Sequence, residues 1–147
     1  MNQIDAITLA MSAAAAAQGR PNSFAQKRPD AKAYVALKQF LAEKYPGVTN
    51  DILDIGPASV ERQTVLKTQL QQAGVEKDMT LLRQAKQLLA HLLQHDSKSA
   101  TAVFVTAADL QNAIKILSNH LEAFDYEQRN RIRHSHHSPD AASPAYL

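Results

Sequence analysis

The sequence predicts an all-α fold: a single bundle of about five helices followed by a disordered C-terminal tail. Three observations carry that expectation. Ala, Leu, Gln and Lys are abundant beside four glycines and no tryptophan, a balance that favours helix over sheet. Apolar residues recur at three- and four-residue spacing in several windows, the period of a helix with one buried face. The breaks between those windows fall at Pro, Gly, Ser and Asp, where helices start and stop. A chain of 147 residues has room for one domain with a substantial core.

The first element is "IDAITLAMSAAAAA", Ile4 to Ala17. It is apolar along its length but shorter than the roughly twenty residues a membrane-spanning helix needs. No Lys or Arg precedes it, as a secretory signal would require. The expectation is a buried Ala-rich helix. The competing reading is a segment that enters a membrane on release, through Ile4, Ile7, Leu9 and Met11.

"GRPNSFAQKRPD" then breaks the chain with two prolines and a glycine. Asp30 is placed to cap a second helix carrying Tyr34, Leu37 and Leu41 at helical spacing, and Pro46-Gly47 stops it. Val48, Ile52, Leu53 and Ile55 anchor a connector or short helical turn. A third helix is expected from near Pro57, with Leu66, Leu70 and Ala73 inward and Gly74 as its C-terminal cap. Asp78 is placed to cap a fourth, whose Leu81, Leu82, Ala85, Leu88, Leu89 and Leu92 form a broad apolar face.

"AVFV", Ala102 to Val105, is a short β-prone run. Thr106 and Asp109 make a capping box for the last helix. Its Leu110, Ile114, Leu117, Leu121 and Phe124 follow at spacings of four, three, four and three. That is a seam two heptads long, suited to packing on the bundle, on a protein partner or on a second copy. The bundle domain is expected over 1–132, and Ser, His, Pro and Ala mark 133–147 as the tail.

Little in this inventory can perform chemistry. A formal net charge of +2 argues against whole-surface capture of DNA. The absence of cysteine removes disulfides, thiol nucleophiles and Cys-based zinc sites. His91 and His95 share a helix face without the acidic residue of an H-E-x-x-H site, and His134, His136 and His137 fall in the expected tail. Arg129, Arg131 and Arg133 form a concentrated basic patch able to meet RNA or anionic lipid. No aromatic is interleaved with those arginines to stack bases, so nucleic acid is disfavoured. Asp51 and Asp54 resemble a carboxylate pair but lack an accompanying base or nucleophile. The reading is a non-enzyme with no catalytic, metal or cofactor-binding residues and no cofactor.

One pattern spans most of these helices. Ala33, Tyr34, Leu37 and Lys38 give A-Y-x-x-L-K, and Ser59, Arg62, Gln63, Val65 and Leu66 give S-x-x-R-Q-x-V-L. Ala73, Gly74 and Asp78 follow as A-G-x-x-x-D, before the helix of Leu81, Leu82, Ala85, Leu88 and Leu89. Behind an Ala-rich first helix, this resembles the bacterial relatives of the fungal HeLo and HeLo-like cell-death domains, sometimes called Bell domains, over residues 1 to 95. The resemblance implies a role in bacterial immunity or regulated cell death, as a membrane-disrupting effector or an interaction module. The chain departs from it in the proline-containing break after Gly19 and in lacking an amyloid-type motif near its C-terminus. The favoured reading is a cytoplasmic adaptor that binds a protein partner or self-associates. The alternatives are a pore-forming effector that joins membranes on activation and a small nucleic-acid-associated protein.

Overall fold

The computed structural model describes residues 1–18, 29–95 and 98–137, with side chains described as far as Arg131. Among them every regular element is helical, so the all-α expectation holds. The α-helices are α1 (Gln3–Gln18), α2 (Pro29–Lys44), the short α3 (Ile52–Ile55), α4 (Val60–Ala73), α5 (Met79–His95) and α6 (Ala107–His137). Two 3-10 turns, Val75–Lys77 and Ser99–Val103, precede α5 and α6. The backbone groups into two compact units, Met1–Leu117 and a second beginning at Ser118.

The first unit is built around the alanine helix. α1 touches α2, α3, α4, α5 and both 3-10 turns. Its buried residues, Ile4, Ala6, Ile7, Ala10, Met11, Ala13, Ala14 and Ala17 among them, cover most of its circumference and leave a half-buried strip at Asp5, Leu9 and Ala16. A helix so largely apolar belongs inside a fold, and alanine lets neighbouring axes approach closely. The two hydroxyls buried with it are satisfied inside the helix. Thr8 Oγ1 donates to the Ile4 carbonyl and Ser12 Oγ to that of Thr8, each at 2.9 Å. Ile4, Ile7 and Met11 are buried and Leu9 is half-buried. Among the described residues, no helix is long and apolar enough to cross a membrane.

Several helix ends follow local chemistry. The Ser59 hydroxyl accepts from the Arg62 amide at 3.3 Å, so α4 begins at Val60 rather than near Pro57. Gly74 ends it in the left-handed conformation, at φ 70°. Asp78 Oδ1 accepts from the Leu81 amide at 3.1 Å. Thr106 and Asp109 cap each other reciprocally at 2.9 and 3.1 Å. Asn2 and Asp5 do the same at the start of α1, at 3.1 and 2.9 Å.

Two expectations need correction. Asp30 lies in the first turn of α2 rather than ahead of it. "AVFV" is not extended: it finishes a 3-10 turn closed by Phe104 at φ 62°, and the Val105 amide returns to the Ala100 carbonyl at 2.9 Å. The bundle of about five helices is otherwise as expected: the connector after Pro46-Gly47 closes one helical turn of its own, α3, which makes six α-helices among the described residues. Of the expected tail, the backbone of 133–137 continues α6, and residues 138–147 lie outside the described ones.

Candidate interaction site

Two phenol–carboxylate–ammonium clasps hold α2 in place. At the first, the buried Tyr34 hydroxyl donates to Asp54 Oδ1 at 2.5 Å. Lys38 Nζ donates to Asp54 Oδ2 at 2.8 Å and lies 4.5 Å from the Tyr34 ring centroid. Burial foremost, then the hydrogen bond to Asp54 and the charges of Asp54 and Asp51, hold the phenol pKa far above its ordinary value. At the second, Tyr45 donates to Asp78 Oδ2 at 2.5 Å, and Lys44 Nζ meets the same oxygen at 2.8 Å. Burial, again followed by Asp78, pushes the Tyr45 phenol up to about 12. Asp78 itself is pushed up by burial, but hydrogen bonds from Lys44, Tyr45 and the Leu81 amide outweigh this and leave it below the ordinary carboxylate value. α2 is thereby fastened to α3 near one end and to the start of α5 at the other.

These groups are tied to one another. The phenols keep their protons, and both oxygens of each carboxylate are occupied by donors. A nucleophile or general base needs the reverse: a free lone pair and a pKa moved toward neutrality. Asp54, read from the sequence as half of a carboxylate pair with Asp51, is thus a fastening point.

The S-x-x-R-Q residues serve a second local purpose. Besides the Ser59 cap, Arg62 Nη1 donates to the Ile52 carbonyl at 3.1 Å and Gln63 Nε2 to the Pro57 carbonyl at 2.8 Å. The arginine stem lies against Gly56, where an added Cβ would meet Arg62 Cδ at 3.1 Å. Three side chains from the first turn of α4 therefore fix the corner between α3 and α4. That corner presents apolar side chains to solvent: Ile55 is 83% exposed and Val60 73%. Leu66 and Leu70 on the same helix are fully buried.

The remaining candidates are dispersed. Leu110 and Leu117 are fully buried, Leu121 is nearly so, and Ile114 and Phe124 are half-buried. Ala113 joins the buried stripe between them. Arg129 and Arg131 are exposed on α6; the Arg133 side chain lies outside the described ones, as do those of His134, His136 and His137. The His91 and His95 rings stack with centroids 6.3 Å apart. Among the described residues, no three His, Cys, Asp or Glu side chains gather to hold a metal ion.

Residues 4–136 match the family described as the Het-E N-terminal domain. The chain belongs to that family. Its members are associated with cell-death and incompatibility signalling, in the HeLo-like region of fungal proteins. The match reaches beyond the 1–95 span of the motif resemblance and takes in α6 almost to its end. It supports the HeLo-like kind and does not extend to the bacterial Bell type. No curated protein and no solved structure matches the chain. The all-helical fold of the described residues is consistent with a module of that kind.

The clasps and the fixed corner escaped the sequence reading. Tyr34 and Asp54 are twenty positions apart and Tyr45 and Asp78 thirty-three, so helical spacing does not connect them. The signal available was the A-Y-x-x-L-K and S-x-x-R-Q pattern itself, whose polar members have no role on a freely solvated helix.

Proposed function

We propose that the chain is a non-enzymatic adaptor in a regulated cell-death or bacterial defence system, working in the cytoplasm through protein–protein contacts. The observation that carries this is the α3–α4 corner. Arg62 and Gln63 spend their donors on backbone carbonyls, and what they hold outward is Ile55 and Val60. Apolar side chains kept rigid in water favour association, because little conformational freedom is lost on docking. The test is a cell-death assay in the native host, comparing the chain with Ile55→Asp/Val60→Asp. The variant should fold with unchanged circular dichroism and lose the death response. A full response from it would exclude the corner as the signalling surface.

A membrane-perturbing effector is the second reading, and what favours it is the apolar, Ala-rich composition of α1. Its sixteen residues span about 24 Å as a helix, less than the roughly 30 Å of a bilayer core. Dye release from anionic vesicles by the chain alone would favour this reading over the adaptor.

A further inference from the structure

The corner's surroundings narrow what can dock there. Exposed Asp51 opens α3 and exposed Glu61 lies in the first turn of α4. The adjacent cations are committed elsewhere, Lys38 to Asp54 and Arg62 to the Ile52 carbonyl. The apolar corner therefore has an acidic rim. Two such corners face to face would bring like charges together, which disfavours a symmetric pairing. The complement is an apolar or aromatic anchor beside a cation.

The same chain carries that complement on α6. Tyr126 is 61% exposed, and Arg129, exposed too, follows one turn later on the same helix face. Tyrosine and arginine are the residue types most enriched where interfaces concentrate their energy. The acids of this stretch, Glu122, Asp125 and Glu127, all precede Arg129. Charge thus changes sign along the helix and gives docking a direction.

We propose that the chain self-associates head to tail, the Ile55–Val60 corner of one copy receiving Tyr126 and Arg129 of the next. The proposal rests on the adaptor reading and names its partner as a second copy. Arg129 would meet the rim of Asp51 and Glu61 while the Tyr126 ring covers Ile55 and Val60. Because the two surfaces differ, the contact is heterologous: it closes into a ring of two or more copies or grows as an open chain.

Sedimentation velocity of the full chain over increasing concentration tests this. At low salt the parent should form dimers or larger species, and several hundred millimolar salt should shift assembly to at least tenfold higher concentration, because the contact is charge-assisted. Ile55→Asp/Val60→Asp and Tyr126→Ala/Arg129→Glu should each be monomeric while keeping parental circular dichroism. Mixed together they should form a heterodimer and nothing larger, since one intact face remains on each. A charge exchange keeps the test clear of folding effects: Glu61→Arg should weaken assembly about tenfold, and mixing it with Arg129→Glu should restore assembly in alternation, since each corner then meets a tail of opposite charge. A monomeric parent at every concentration, or variant pairs that fail to combine, would overturn the proposal. A strictly monomeric parent whose death response is still abolished by Ile55→Asp/Val60→Asp would sink this proposal and leave the adaptor reading standing.

Discussion

The Tyr34 hydroxyl reaches Asp54 Oδ1 at 2.5 Å from a side chain that is itself 1% exposed. A buried phenol must find an acceptor, and here the acceptor lies on another helix, so satisfying the hydroxyl also positions α3. Lys38 completes the balance by neutralising the carboxylate from the solvent side.

Removing that hydroxyl should therefore loosen α3 against α2. Tyr34→Phe keeps the ring and deletes the bond, and the expected loss is about 1–2 kcal/mol, toward the lower part of the range for charged acceptors because Asp54 retains Lys38 and some water. Asp54→Asn should cost a similar amount, and the double variant less than the sum. Urea titrations of the four proteins measure the coupling. Strict additivity would mean the two groups act independently.

The second clasp gives stability a pH dependence at both extremes. The folded Asp78 carboxyl lies below its ordinary 3.8, so its contribution is complete above that value and is lost as pH falls through the folded pKa. Tyr45 is raised from 10.0 to about 12. Its contribution is complete below pH 10 and is lost as pH rises toward 12. Asp78→Asn keeps a capping oxygen and should be less stable than the parent at pH 6, with the gap closing below about pH 3.8. Tyr45→Phe should flatten part of the alkaline limb. Melting temperatures across the pH range check both, and a parallel acid limb in Asp78→Asn would remove the first assignment.

Two left-handed residues predict opposite signs. Gly74, at φ 70° with nothing within 4 Å of an added Cβ, should lose about 1 kcal/mol as Gly74→Ala from backbone strain alone. Phe104 holds the same conformation, φ 62°, while 86% exposed. Phe104→Asn gives up little packing and relieves strain, so it should gain up to about 1 kcal/mol. Thermal melts of the two variants should move in opposite directions.

What the sequence disclosed depended on how far each interaction reaches. Ser59, Gly74, Asp78 and the Thr106–Asp109 pair act within one helical turn, and the apolar stripes of α4 and α5 repeat at helical period. All of these were readable. Asn2–Asp5 has the same local form and could have been found by the same rule. The α3–α4 corner could not, because Ile55 read as an ordinary anchor and Val60 had no role until Arg62 and Gln63 are seen to fix the turn between them. The 3-10 turn hidden in "AVFV" depends on Phe104 adopting a conformation that its residue type disfavours. For α1, composition pointed to a buried Ala-rich helix without deciding between packing in protein and entry into lipid.

The surroundings of α1 can be tested residue by residue. Ala14 is fully buried and Ala16 only partly so, two positions along the same helix. Lysine at Ala14 must displace packed neighbours and bury or redirect a charge, and Ala14→Lys should lose more than about 4 kcal/mol or fail to fold. Ala16→Lys can carry its ammonium out to water along its stem and should stay within about 1 kcal/mol of the parent. Urea unfolding followed by circular dichroism measures both. If α1 is the centre of the bundle the two variants separate widely; equal, small losses would mean that Ala14 faces solvent and that α1 is not the packed core around which α2, α4 and α5 assemble.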